Sequence, residues 1–252
     1  MNARQALKGI LALEPIRPPR FESEFAPETI KAWRAFGYID DREPEIALGL
    51  VTRDDINVIW RRTREEKCVV HSEATLRQHI RAYDPSDLSR WPTDWAVLVS
   101  GWRNRDTILT CMPWHEGFLQ VIGVADGRSL CEALTQLCEE PAWIHAAMDS
   151  YAAFLEDLIP RVLADVEVDF ALFREPIASN HGPVISPVDY TRFVSPALKR
   201  VAACLERCGV NHRMMWSAGA VQDLIPIWLD AGLTGVYVNQ AGQAGIRYRD
   251  LR

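Results

Sequence analysis

The residues best suited to moving protons are Glu175 and His181, which bracket the loop EPIASNH, and the adjacent pair His115-Glu116 in PWHEG. An imidazole titrates near neutral pH and a neighbouring carboxylate raises its pKa, which suits His115 to general acid/base work. Glu175 follows an apolar run. A carboxylate at the end of a buried strand is expected to titrate high through desolvation unless Arg174 or His181 compensates. Pro176 and Gly182-Pro183 would hold the loop between Glu175 and His181 in a fixed shape. Glu175, His181 and His115 are therefore the expected catalytic residues. Glu22, Glu24, Asn180, Trp216, Ser217, Asn239 and Gln240 are expected to bind substrate. Two plainer readings stay open. The His115-Glu116 pair also fits a solvated helix start, and Glu175 also fits an acceptor of backbone N–H groups that only shapes its loop.

These side chains need strands to present them. Phe170–Phe173 and Val210–Trp216 are apolar runs joined by a long amphipathic segment, which predicts a βαβ unit. Polar groups just past the carboxyl ends of parallel strands face the ligand crevice, which places Glu175 and Trp216-Ser217 there. Further strands are expected over Phe21–Phe25, Thr107–Met112 and Gly235–Asn239. Helices are expected over residues 4–11, from Pro27 through Trp33, over 72–81 and 94–102, in two pieces within 127–165, and from Pro187 to Arg207. Ser186-Pro187 supplies an N-cap and first helical position. Ile56–Trp60 and Cys68–His71 flank the charged RRTREE and predict a hairpin, within an insertion at about 40–90.

The stretch FREPIASNHGPVISPVDYTRFVSPALKR resembles the signature of the uroporphyrinogen decarboxylase superfamily: a strand ending in an acid, Gly-Pro-Leu-Ile-Ser-Pro, an aromatic, and a Phe-x-x-Pro helix ending in basic residues. The resemblance continues through MMWSAGAVQDLIPIWLDAGLTGVYVN and is present in the opening ALKGILALEPIRPPRFESEFAPETIKAW, about two thirds of the chain in all. It implies a (β/α)8 TIM-type barrel with its site at the strands' carboxyl ends, read here as one domain over residues 1–252. It also implies that Trp114, His115 and Glu116 line the pocket and that Ser186 touches substrate. Five or six strands are countable against the eight of a closed barrel, so the last one or two βα units are expected to be missing from this chain.

Two departures narrow the implied chemistry. The decarboxylases carry an Arg-Gln-Ala-Gly-Arg motif at the end of the first strand, where Glu22 and Glu24 stand here on one strand face. A carboxylate-rich porphyrinogen would meet like charge there. The corrinoid-linked methyltransferases carry His-x-Cys where this chain has Trp216 and Ala218. Neither an indole nor a methyl group offers Zn²⁺ a lone pair, so no metal is expected, and no other cofactor.

With 28 basic and 34 acidic residues, a net charge of −6 and scattered Lys and Arg, the chain has no electrostatic footprint for nucleic acid. No apolar run reaches membrane-spanning length and no secretory signal opens the chain, so a cytoplasmic address is expected. The six cysteines form no C-x-x-C pair and fit reduced thiols, with Cys204 and Cys208 as small core residues. His71 and His79 match no metal-ligand spacing and are expected in solvent.

Three functions fit these residues. One is a tetrapyrrole-facing enzyme that decarboxylates a porphyrinogen-like substrate or moves a methyl group to or from a corrinoid protein. Another is metal-independent lyase or transferase chemistry on a small polar substrate. The last is a non-catalytic binding barrel.

Overall fold

The computed structural model describes residues 2–17, 26–48, 53–62, 68–239, 242 and 245–247. Among them, five strands form one parallel sheet: β1 (Arg53–Asp55), β2 (Ile108–Trp114), β3 (Phe170–Arg174), β6 (Arg213–Ala218) and β7 (Gly235–Asn239), neighbours in that order. A separate two-stranded ladder, β4 (Ala178–Ser179) with β5 (Gly182–Pro183), is antiparallel. The parallel pairs are joined by helical crossovers, as parallel pairing requires. The β1–β2 crossover holds α4 (Glu73–Ala82) and α5 (Trp95–Trp102), and that from β2 to β3 holds α6 (Gly117–Val121), α7 (Gly127–Glu139) and α8 (Pro141–Leu163). From β3 to β6 run α9 (Pro187–Phe193) and α10 (Ser195–Arg207), and from β6 to β7 runs α11 (Ile225–Asp230). Upstream of the sheet lie α1 (Ala3–Leu11), α2 (Pro27–Ala35) and α3 (Pro44–Ala47). The chain is thus a mixed α/β protein. The strand expected over Phe21–Phe25 lies outside the described residues.

The two faces of the sheet are dressed differently. Leu109, Cys111, Ala171, Phe173, Met215 and Val238 pack with Tyr151, Leu155 and Leu158 of α8 and Leu198, Val201 and Leu205 of α10 in one large core. Each Leu, Val, Met or Phe among them contributes about 1.5–3 kcal/mol on burial. The opposite face carries Ile108, Phe170 and Leu172, packed with Ala3 and Leu7 of α1 and with Met112, Met214 and Trp216. Strand β6 alternates buried and partly exposed residues along its whole length, the mark of a strand with one covered and one open face. Helix α1 is tied to the sheet's amino end by Asp169, whose carboxylate accepts from Arg4 Nε at 2.7 Å, the Leu109 N–H at 2.9 Å and Arg105 at 3.1 Å.

Three expectations change. In place of the hairpin, Arg53–Asp55 pairs parallel with β2, the Ile56 N–H continues that ladder to the Thr110 carbonyl, and the Val70 N–H donates to the Ile122 carbonyl. Ile56, Val58, Trp60, Val69 and Val70 belong to the large core. The helix expected from Pro187 to Arg207 is two helices broken at Val194, because Pro196 lacks an N–H and its ring crowds the preceding turn. His79, expected in solvent, is 5% exposed, with Nε2 at 3.0 Å from the Ala147 carbonyl, and burial pushes its pKa down to about 4.

Candidate active site

Strand β3 ends between two environments. Alternation sends Phe170, Leu172 and Arg174 to the open face and Ala171, Phe173 and then Glu175 into the helix-covered side. Glu175 is 1% exposed. Its carboxylate accepts the Phe118 N–H at 2.9 Å, the Trp114 Nε1–H at 3.2 Å and the Tyr190 hydroxyl at 3.2 Å. Burial pushes its pKa up to about 7, against these three donors, which favour the carboxylate. Neither Arg174 nor His181 is among its partners. The network continues outward: the Trp228 Nε1–H donates to the Tyr190 hydroxyl at 3.0 Å, and the Ser217 hydroxyl donates to the Glu175 carbonyl at 2.6 Å. Gly117, at φ +72°, makes the approach of α6 possible. A Cβ there would stand 2.9 Å from Glu175 Oε1 and from Pro176 Cδ.

The partner strand reaches the same carboxylate through an irregularity. Cys111 pairs with Ala171, but Trp114 pairs with Phe173, so β2 holds one residue more than β3 over this span. The extra residue falls at Met112-Pro113, where proline has no N–H to give the ladder. The bulge turns Trp114 to the Phe173 side, where it is fully buried, rather than onto the open face beside Arg174. His115 follows with its Nδ1 buried and, among the described residues, without a hydrogen-bond partner. Its pKa is lowered, first by burial and then by Arg174, with Glu116 pulling the other way, which reverses the rise expected from the neighbouring carboxylate. Glu116 is 6% exposed, accepting from the Arg62 N–H at 3.2 Å, from Arg62 Nε at 3.3 Å and from the Tyr83 hydroxyl. Glu116 and Glu175 both line a cleft of about 280 Å³, with Leu119, Gln120, Asp126 and Pro176 among its other walls.

The open face carries different chemistry. Arg174 lies over the Trp216 ring, Cζ 5.5 Å from its centroid, and register sets Trp216 beside Tyr237 and Ala218 beside Asn239. Met112 and Met214 are partly buried on the same face. Of the expected site residues, then, His115, Trp216 and Asn239 stand at strand carboxyl ends, with Arg174 between the first two in electrostatic reach of His115. Trp114, Glu116, Glu175 and Ser217 belong to the covered side. Asn180 and His181 are exposed on the β4–β5 turn, where the His181 N–H donates to Ser179 Oγ at 3.1 Å. Ser186 caps α9, accepting the Asp189 N–H at 3.0 Å. Glu22, Glu24 and Gln240 lie outside the described residues. Among the described residues, no group of three His, Cys, Asp or Glu side chains is placed to hold a metal ion.

Sequence reasoning missed Arg62, Tyr83 and Tyr190. Arg62 sits at the edge of a charged run that reads as a surface loop, and yet it is 9% exposed. Tyr190 occupies the aromatic position after the Ile-Ser-Pro turn and was the one of the three with a signal. No helix among the described residues is long and apolar enough to cross a membrane.

No protein-family model matches the chain, and no curated protein matches it. Among ten solved chains that match, a methyltransferase from Methanosarcina mazei is 16% identical, with a TM-score of 0.43 over 60% of this chain and 46% of that one. The chain spans less than half the length of that structure.

Proposed function

We propose that this chain is part of a uroporphyrinogen decarboxylase-like (β/α)8 barrel whose open sheet face takes a tetrapyrrole-type substrate, for decarboxylation or for methyl transfer with a corrinoid protein. The observation that carries this reading is the asymmetry of the sheet. Five parallel strands in sequential order have α8 and α10 over one face, while the other, met by α1 at Ile108, Phe170 and Leu172, presents Arg174, Trp216, Tyr237 and Asn239 at the carboxyl ends, where α/β enzymes bind their ligands. An indole set in the wall, with methionines beside it, offers a flat apolar surface to a macrocycle. His115, its pKa lowered, is neutral at pH 7 and free to accept a proton at Nδ1 or Nε2.

A second reading has its own support. The cleft beside Glu116 and Glu175 is about 280 Å³, the volume of a small polar molecule, and Glu175 with its pKa near 7 is poised as an acid or base there. Equilibrium dialysis against a porphyrinogen and against methylcobalamin separates the two. The first reading expects binding that Trp216→Ala weakens about tenfold or more and Glu175→Gln leaves unchanged. Loss of binding with Glu175→Gln but not with Trp216→Ala would discard it in favour of the cleft.

A further inference from the structure

Most buried arginines of this chain are spent on partners. Arg62 meets Glu116, Arg90 donates to the carbonyls of Ile59, Arg61, Ala82 and Asp84, Arg105 meets Asp169, and Arg213 donates to the carbonyls of Val210 and Gly232. Arg174 is the contrast. It is half-buried, and among the described residues its guanidinium has no ion pair and no hydrogen bond, only the face of Trp216. A guanidinium that rests against an indole and spends none of its N–H groups on the protein keeps them for a carboxylate, which it can receive through two parallel hydrogen bonds. A second unpartnered polar atom lies within its electrostatic reach, the buried Nδ1 of His115.

We propose that Arg174, positioned by Trp216, is the carboxylate-binding residue of the open face, and that a carboxylate bound there also engages the His115 imidazole. The assignment rests on the reading of the open face as the substrate face, and it adds the substrate's chemical class and the residue that selects it. It also gives the face a cation at the end of β3, while the expected strand over Phe21–Phe25 carries Glu22 and Glu24. The charges acting on His115 are Arg174 from β3, Arg61 from the segment after β1 and Glu116 from its own loop; the two arginines disfavour the imidazolium and Glu116 favours it. A carboxylate on Arg174 cancels the larger of those repulsions. Binding must therefore make His115 easier to protonate, and protonation must tighten binding by the same factor.

The test is histidine-ring NMR titration of the full chain with benzoate as the probe and benzamide as its uncharged equivalent. His115→Gln identifies the His115 signal among the six histidines. Saturating benzoate is expected to move the His115 midpoint up by about 0.5 pH or more, which means binding about threefold tighter below the transition than above it. Benzamide is expected to move nothing, and Arg174→Gln to abolish the benzoate effect while Arg174→Lys keeps part of it. A His115 midpoint indifferent to benzoate, or moved equally by benzamide or in Arg174→Gln, overturns the proposal. The benzoate and benzamide arms need only the unaltered protein, so a misfolded variant does not protect the idea. If benzoate behaves as expected while both tetrapyrrole probes fail to bind, the carboxylate site stands and the tetrapyrrole reading falls. If a porphyrinogen binds and benzoate leaves His115 unmoved, the reverse holds.

Discussion

Arg174 and Glu175 are adjacent in the chain and sit in opposite surroundings. Glu175 points into the helix-covered side, where three donors from β2, α6 and α9 converge on it and its pKa is raised to about 7. Arg174 points to the open side, where it lies over the Trp216 ring and within electrostatic reach of His115. The covered side satisfies the Glu175 and Glu116 carboxylates, and each bond lost there leaves a buried donor or acceptor stranded. The open side leaves the Arg174 guanidinium without a hydrogen bond or ion pair among the described residues, which costs little because it is only half-buried, and keeps it available for a ligand. A strongly shifted pKa marks the first environment at least as readily as it marks a substrate site.

That contrast can be broken most forcefully at Arg62. Replacing it by Met leaves Glu116 and the Tyr83 hydroxyl buried without their cation, and a loss of about 3–5 kcal/mol in urea-unfolding stability is expected. A loss under 1 kcal/mol would mean that water reaches Glu116 and that the covered side is not closed. The next effect is a pH dependence. Glu175 titrates near 7 when folded against an ordinary 4.5, so between those values the folded protein holds a proton that the unfolded chain has shed. Its contribution to stability is therefore greatest below 4.5, falls by about 3 kcal/mol as pH rises to 7, and is flat above that. Glu175→Gln should remove this slope from the stability–pH curve, and an unchanged slope would put the titration elsewhere. The smallest effect belongs to the open side: Arg174→Gln should change unfolding stability by no more than about 0.5 kcal/mol. A larger loss would make Arg174 a structural residue and erase the distinction.

The strands at 108, 170, 213 and 235 were legible because each is a short apolar run ending in polar residues, and the crossover helices because their apolar positions repeat with the helical period. The face on which a residue lands was harder to read. Trp114 shares the parity of Ile108 and Met112, and period-2 counting puts it with them; the extra residue at Met112-Pro113 reverses the count, and a bulge has no signature in alternation itself. The segment 53–62 was misread because charges on both sides hide a core strand and its extension. His115 was given the wrong sign because its burial, which local sequence does not show, outweighs its neighbour Glu116, and because Arg174, 59 positions away, acts on it through space. Local sequence holds the identity of such groups, and tertiary packing holds their surroundings.

The hydrogen bond from Trp114 to Glu175 has an optical consequence. The indole donates at 3.2 Å to a carboxyl group that changes charge near neutrality, while the ring itself is sealed from solvent and stacked 6.3 Å from Phe173. A negative charge at the pyrrole edge of an indole displaces its electronic transitions, and adding a proton removes that charge. Of the nine tryptophans, Trp114 is thus a chromophore wired to a single ionisation. It faces the Glu175 carboxyl from inside the protein, while Trp216, two strands over, lies on the open side under Arg174.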